Sequence, residues 1–139
     1  MIVIDTNVLS AFSTAAPDAR VLGWLESQDR SSVWTTSVTI YEVLFGLELL
    51  PPGRRRSDLE QRFAGAIEED LEGRILPFDL AAAASAATLA ARRRREGRPV
   101  EIRDTLIAGI ALSRGASLAT RNTRHFRDLG VDLVDPWSS

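Results

Sequence analysis

The sequence predicts an α/β fold in which one parallel sheet carries helices on both faces. Short apolar runs such as Ile2–Ile4 do not alternate with polar residues, which is typical of strands covered on both sides. These runs alternate along the chain with helical segments, which indicates a parallel sheet. The sequence has no internal repeat and no linker long enough to divide domains, so we expect residues 1–139 to form one domain.

The first elements follow from short apolar runs and helix start signals. Strand Ile2–Ile4 is followed by a helix that begins at Pro17 and Asp18, two residue types common at helix starts. A second short apolar run predicts a strand at Val33–Thr36. The apolar residues of the helix between these strands are Val21, Leu22, Trp24 and Leu25.

The next helix, from about Val38 to Leu50, is apolar almost all round. A helix of this kind is buried by more than its own sheet, or it meets a partner. Its broad apolar face holds Ile40, Val43, Leu44, Leu47 and Leu50, and its second apolar side holds Tyr41, Phe45 and Leu49.

The second half of the chain continues the alternation. A charged amphipathic helix from about Ser57 to Glu72 precedes a strand at Ile75–Phe78. Asp79 is expected to cap an alanine-rich helix that runs to Arg95. The remaining predicted elements are a helix at about Ile102–Arg114, a strand at Ser117–Ala119, a short helix near Thr123–Asp128 and a last strand at Val131–Val134.

Missing residue types exclude several chemistries. The chain has no cysteine and one histidine, His125, which excludes disulfides, cysteine-ligated zinc and multi-histidine metal sites. All 17 basic residues are arginine, so Schiff-base catalysis and phosphate binding by a Walker lysine are also excluded. Carboxylates are the main catalytic groups that remain.

Charge and hydropathy bound the partners and the location. A net charge of −2 does not fit a globally basic nucleic-acid binder. The arginine clusters Arg54–Arg56 and Arg92–Arg95 are typical of solvated helix ends, although arginine also suits phosphate partners. No run is long enough to span a membrane, and the start of the sequence lacks a basic leader, so we expect a cytoplasmic protein.

Polar residues at the ends of predicted strands and the starts of helices are the candidates for chemistry. Asp5, Thr6 and Asn7 follow the first strand, and the carboxyl ends of strands are where ligands bind in open α/β sheets. Thr120 and Asn122 repeat this arrangement after the fourth strand. The remaining candidates are Glu42 and Asp104, each near the start of its helix.

Each candidate also has a purely structural interpretation. Asp5 caps a following helix or turns the chain, and Asn122 turns the chain as well. The segment Thr39–Glu42 fits a capping box, in which the glutamate reaches back to its own helix. Asp104 is stabilised by the helix dipole by roughly 0.3–1 kcal/mol without any function.

Taken together, the acids favour a metal site. If the first and fourth strands are neighbours, their ends face one cleft, and Gly46, Ala108 and Ala111 would leave room beside the acids. Converging carboxylates raise one another's pKa, and a divalent cation relieves that repulsion. Ligands that are all oxygen indicate Mg²⁺ or Mn²⁺.

The chain resembles the PIN nuclease domains, specifically the VapC and FitB-like toxin ribonucleases. Separated motifs spread over nearly the whole chain agree in spacing and order. The segments that carry the resemblance are Ile2–Ser10, Ser37–Leu50, Arg74–Asp79, Ile102–Leu112, Ser117–Phe126 and the Asp-Pro-Trp ending.

The resemblance implies a three-layer α/β/α sandwich around a five-stranded parallel sheet. It also implies a metal-dependent endoribonuclease, the toxin of a type II toxin–antitoxin system, which forms a homodimer and binds a cognate antitoxin. Asp5 and Asp104 would bind Mg²⁺ or Mn²⁺, and Glu42 would bind it or orient a water. Thr120 and Asn122 would position water or the scissile phosphate of the RNA. Asn122 stands at the family's fourth acidic position, which is often aspartate.

Two other functions start from the same residues. An aspartyl-phosphate enzyme or receiver domain also begins with an aspartate at a strand end, but its chemistry normally uses a lysine, which this chain lacks. A catalytically weakened PIN-fold interaction module is favoured by Asn122 and disfavoured by the three retained acids.

Overall fold

A five-stranded, wholly parallel sheet organises the protein, as the sequence predicts. The computed structural model describes residues 1–99 and 101–138. Within them the strand order is β3-β2-β1-β4-β5, so the first and fourth strands are neighbours at the centre. The strands are β1 (Ile2–Ile4), β2 (Val33–Thr36), β3 (Ile75–Leu76), β4 (Ser117–Ala119) and β5 (Leu133–Val134).

Helices connect the strands and cover both faces of the sheet. A 3₁₀ turn at Arg30–Ser32 leads into β2, and a π-helical turn at Ala66–Asp70 extends the fourth helix. In the described residues, no helix is long and apolar enough to cross a membrane. The helices are α1 (Thr6–Phe12), α2 (Ala19–Glu26), α3 (Ser37–Leu49), α4 (Arg54–Gly65), α5 (Leu80–Arg95), α6 (Ile102–Ser113) and α7 (Thr123–Phe126).

Several predicted bounds differ from the structure. The predicted strand Ile75–Phe78 ends at Leu76, because the backbone N–H of Phe78 donates to the Ser37 hydroxyl, not to a neighbouring strand. The last strand begins at Leu133, not Val131, and α4 begins at Arg54, before the predicted Ser57. The sequence indicates α1 only through the interpretation of Asp5 as a helix cap and gives no bounds for it, because a seven-residue helix depends on tertiary packing more than on its own periodicity.

The core lies in two layers, one on each face of the sheet. Val3 points into the layer that α5, α6 and α7 cover, and Ile4 points into the layer that α1, α2 and α4 cover. Both residues are fully buried, which explains why β1 is apolar without alternation. Helix α3 contributes Val38 to one layer and Leu47 to the other. The predicted three-layer sandwich is therefore confirmed.

Helices α5 and α6 pack extensively against each other, and their close approach depends on a glycine. A Cβ placed on Gly109 would lie 2.7 Å from the Cβ of Ala86 and 2.9 Å from the backbone oxygen of Ala82. Helices α5 and α6 can approach so closely because α5 presents alanines to Gly109 of α6. Since α6 begins beside the candidate site, this contact sets how the helix stands against the sheet.

Gly109→Ala is expected to lower the free energy of unfolding by about 1–3 kcal/mol, because the two helices must separate. Urea denaturation measures the change. Gly23→Ala is the matched control: that glycine lies inside α2 with open space around it, and alanine there is expected to stabilise the protein by up to about 1 kcal/mol. Equal effects at the two positions would show that the helix contact tolerates a methyl group.

Candidate active site

The candidate site lies at the carboxyl ends of the two central strands. Ile4 of β1 pairs with Ala119 of β4, and the backbone N–H of Asp5 donates to the Ala119 oxygen at 2.9 Å. This is the point where the strand order reverses, so the chain leaves on opposite sides and opens a crevice. The expectation that these two strands are neighbours is confirmed.

Asp5 is the buried centre of the site. The residue is 4% exposed, and its carboxylate accepts hydrogen bonds from Thr6, Asn7 and Thr120. Oδ1 accepts the backbone N–H of Thr6 at 2.8 Å, which caps α1. Oδ2 accepts the hydroxyl of Thr120 at 2.8 Å and the side-chain amide of Asn7 at 3.2 Å. The cap and the candidate site therefore use the same carboxylate.

Thr120 and Asn7 connect the ends of β1 and β4. Thr120 is fully buried, and its hydroxyl oxygen accepts the backbone N–H of Asn122 at 3.0 Å. The Asn7 amide oxygen accepts the backbone N–H of Arg121 at 3.1 Å. Asn7 is among the polar residues noted after the first strand, but the sequence assigns it no role in the site.

Glu42 reaches the site from the second turn of α3. Its Oε1 accepts the Thr6 hydroxyl at 3.2 Å, and its Oε2 lies 3.6 Å from Arg103 Nη1. The capping-box interpretation of Thr39–Glu42 is wrong, because the helix begins earlier and Thr36 caps it by accepting the backbone N–H of Thr39.

Asp104 lies in the first turn of α6, opposite the only histidine of the sequence. His125 Nδ1 is 3.1 Å from Asp104 Oδ2. His125 is a neighbour that sequence reasoning missed, because the contact depends on how α7 packs.

A buried arginine holds α7 in this position. Arg93 Nη2 donates to the backbone oxygen of His125 and to Asp128 Oδ1 at 3.0 Å. Arg93 is 7% exposed, so the interpretation of Arg92–Arg95 as a solvated helix end is wrong for this residue.

The structure places only some of the remaining predicted residues beside the acids. Asn122 is exposed, and its side chain does not cap α7. Open space surrounds Gly46, as expected. Ala108 and Ala111 leave no room beside the acids, since both are fully buried in the core.

Comparison with known proteins identifies the family of the chain. The family model described as PIN domain matches residues 2–131. The chain belongs to the PIN-domain family. It is 39% identical to the VapC ribonuclease Y4jK of Sinorhizobium fredii over 137 residues, which cover 99% of this chain and 98% of that protein.

Two further similarities also extend over nearly the full length. The chain is 34% identical to toxin FitB of Neisseria gonorrhoeae over 137 residues, 99% of each chain. The crystal structure of FitAcB from Neisseria gonorrhoeae superposes with a TM-score of 0.88 at 33% identity and covers 100% of both chains. This PIN domain therefore belongs with the VapC and FitB-like toxins, as the motifs predict.

Burial and mutual repulsion act on the three acids of this PIN domain. Burial raises the pKa of Asp5, of Glu42 and of Asp104 above the ordinary carboxyl values. The charge of Asp5 raises the pKa of Asp104 further, and both charges raise that of Glu42, which Arg103 partly offsets. The three carboxylates therefore share one unfavourable electrostatic field.

The donor set suits a hard cation that keeps most of its water. In residues 1–99 and 101–138, no three Asp, Glu or His side chains lie together as a group that could hold a metal ion by themselves. Mg²⁺ is usually held by one or two carboxylates and several waters, so a closed cage is not required. The oxygen-only acids of this PIN domain and their raised pKa values fit such an ion.

Two clefts flank the acids. One has a volume of about 340 Å³ and includes Thr6, Glu42 and Gly46 in its wall. The other, of about 400 Å³, includes Asp104 and His125 and is lined with arginines. Each cleft therefore has one of the acids in its wall, Glu42 in the first and Asp104 in the second.

Asp104→Asn tests the electrostatic field by its pH dependence. Because the raised pKa means that the folded state binds this proton more tightly than the unfolded chain, the contribution of Asp104 to stability rises as pH falls from the raised pKa towards 3.8. The variant is expected to lose part of that rise and, without metal, to be at least as stable as wild type near neutral pH. Urea denaturation between about pH 7 and pH 4 measures both.

Asp132→Asn, at an exposed position before β5, is the matched control for the loss of one carboxylate. If Asp104→Asn were less stable than this control at neutral pH, the contact with His125 would outweigh the repulsion among the acids.

Proposed function

We propose that this PIN domain, residues 1–139, is a metal-dependent endoribonuclease and the toxin of a type II toxin–antitoxin system. The observation that carries the proposal is the convergence of Asp5, Glu42 and Asp104 from three separate elements on one edge of the sheet. The names of the relatives, VapC ribonuclease and toxin FitB, support the same reaction class.

Asp5 and Asp104 are the proposed ligands of Mg²⁺ or Mn²⁺. When bound, the ion lowers the pKa of a coordinated water and stabilises charge on the phosphate. Glu42 either contributes a third ligand or orients the water, since its Oε2 is held only by the 3.6 Å ion pair with Arg103 in the described residues. In each case the carboxylates act as oxygen donors and remain ionised while the ion is bound.

Thr120 and Asn122 take different parts in this proposal. The Thr120 hydroxyl donates to Asp5 Oδ2, so we assign it to holding that carboxylate in its orientation. Asn122 is exposed beside it and has an amide that is available to water or to the scissile phosphate. Because an amide brings no negative charge, Asn122 in the fourth acidic position favours one well-held ion over two.

The competing functions make different use of the same residues. An aspartyl-phosphate mechanism needs an accessible nucleophile, whereas Asp5 is 4% exposed and both of its oxygens accept hydrogen bonds. A catalytically weakened interaction module is favoured by Asn122 alone. Cleavage of RNA separates the ribonuclease from that module.

RNA cleavage by the purified protein is the direct test. We expect cleavage of single-stranded RNA with Mn²⁺ or Mg²⁺ and none with EDTA. Asp5→Asn should lower the rate by more than about 100-fold, since changes one shell further from a metal already cost 10–100-fold. Mn²⁺ at about 100 times its dissociation constant should stabilise the wild type by roughly 2.7 kcal/mol, and Asp5→Asn should lose most of that gain.

The control for this test is again Asp132→Asn, which should cleave RNA like the wild type. A wild type that is not stabilised by saturating metal would contradict the metal site. A wild type that binds metal but cleaves no RNA would favour the interaction module.

The proposed partners are a cognate antitoxin and a second copy of the chain. The apolar side of α3 that was expected to need cover is exposed: Tyr41 is 59% and Phe45 51% exposed, and their rings stack at 6.0 Å. Together with Ile102 and Leu106 of α6 they line a groove of about 550 Å³. We propose that the second copy covers this groove, and that the toxin acts in the cytoplasm, where its RNA substrates are.

Phe45→Glu is expected to convert a dimer to a monomer, because a carboxylate cannot be buried in an apolar contact without large cost. Multi-angle light scattering measures the mass. Ala19→Glu adds the same charge at an exposed position of α2 and should leave the mass unchanged. If Phe45→Glu remains a dimer and still binds the antitoxin, neither partner uses this groove. If Phe45→Glu remains a dimer but loses the antitoxin, the groove binds the antitoxin and not the second copy.

A further inference from the structure

An arginine at the edge of the candidate site rests on a tryptophan from the end of the described chain. The guanidinium carbon of Arg121 lies 5.0 Å from the ring centroid of Trp137, within the range of a cation–π contact. The two residues are 16 positions apart, and neither belongs to the acidic site. Trp137 is the last residue of the Asp-Pro-Trp motif, for which the metal chemistry has no use.

Hydrogen bonds hold Trp137 at its ring and at its backbone. Trp137 Nε1 donates to Asp18 Oδ2 at 3.2 Å, and the backbone N–H of Trp137 donates to Asp135 Oδ1 at 2.9 Å. Asp18 is itself anchored, because its Oδ1 caps α2 by accepting the backbone N–H of Arg20 at 2.9 Å. Trp137 is half-buried by these contacts and still presents a ring face to Arg121.

The backbone of Arg121 is held by the same network that holds Asp5. Its N–H donates to Asn7 Oδ1, and Asn7 donates in turn to Asp5 Oδ2. The residue before Arg121 is Thr120, which also donates to Asp5. Arg121 therefore directly follows a residue whose hydroxyl donates to the central carboxylate.

A ring face orders the guanidinium without neutralising it. In the described residues Arg121 makes no ion pair, although it is exposed and Arg20, Arg103 and Arg114 do pair with carboxylates. A carboxylate partner would occupy the N–H edge, whereas stacking on a ring leaves that edge free for bidentate hydrogen bonds. A stacked, charged and unpaired arginine is suited to an anion that arrives from solution.

We propose that Arg121, held by the ring of Trp137, binds a phosphate of the RNA strand beside the scissile one. The proposal rests on the proposed ribonuclease function, and Arg121 directly follows Thr120, whose hydroxyl donates to Asp5. The Asp-Pro-Trp motif thereby becomes part of the RNA-binding surface. Arg121 is a substrate-binding residue, and Trp137 is a positioning residue that acts through it.

Cleavage kinetics on a single-stranded RNA test the proposal over a range of NaCl concentrations. Arg121→Ala is expected to raise KM by about tenfold while kcat changes little, because a contact made equally in ground and transition states affects binding alone. The slope of log(kcat/KM) against log[NaCl] should become shallower by about 0.7, as for one lost phosphate contact on a single strand.

Trp137→Leu separates the role of the ring from the role of the charge. It should raise KM by only about two- to fivefold, the fold-change equivalent of an exposed cation–π contact, and should keep the wild-type salt slope. Combined with Arg121→Ala, it should add nothing further, because the ring acts through the arginine. Melting temperatures of the same proteins separate this effect from a general loss of stability.

Arg30→Ala is the matched control. Arg30 is exposed and precedes β2, so it lies at the amino ends of the strands, away from the carboxyl ends that form the site. If the wild type cleaves RNA and Arg121→Ala behaves like Arg30→Ala, the phosphate contact is refuted while the ribonuclease function stands. If Arg121→Ala loses antitoxin binding with an unchanged KM, the stack serves a protein partner, and the proposal is also refuted. A wild type that cleaves no RNA would overturn the ribonuclease function, and with it the RNA-phosphate contact of Arg121.

Discussion

A carboxylate buried where the two central strands end is the constraint on which the rest of the structure depends. Burying a charged group is costly unless hydrogen bonds replace its water. Asp5 is 4% exposed and accepts from the Thr6 backbone, the Thr120 hydroxyl and the Asn7 amide, which come from both sides of the β1–β4 junction. The helix that starts at Thr6 and the turn after β4 therefore have to stand where they can donate to it.

That constraint extends outward to the other acids. Thr6 is fixed because its backbone donates to Asp5, and its hydroxyl donates to Glu42, so the second acid is oriented through the first. Asp104 is placed by α6, whose close packing on α5 needs Gly109. The charge of Asp5 raises the pKa of Glu42 and of Asp104, and the proposed cation would relieve this repulsion. Because a bound cation would relieve the repulsion, its binding would also stabilise the folded protein.

Arginines support the site in several ways that the amino-acid composition does not indicate. The chain has a net charge of −2, yet its basic residues at this edge do three different things. Arg93 is buried and holds α7 so that His125 meets Asp104. Arg103 offsets the charge of Glu42, and Arg121 stays unpaired on the face of Trp137 in the described residues. A guanidinium can serve each role because its planar fork donates in several directions and also stacks.

The sequence by itself determined most of the elements and the polar residues that end the central strands, because apolar strand runs and strand ends are local patterns. Strands β1, β2 and β4 lie where the apolar runs predict them, and Asp5 and Thr120 meet because neighbouring parallel strands end at one edge. Only the tertiary structure decided that Glu42 faces Thr6 and does not cap its own helix, and that Ala108 is core. It also decided which arginine of Arg92–Arg95 is buried. Each of these depends on the rotation and spacing of helices that pack from distant parts of the chain, and no local pattern records that geometry.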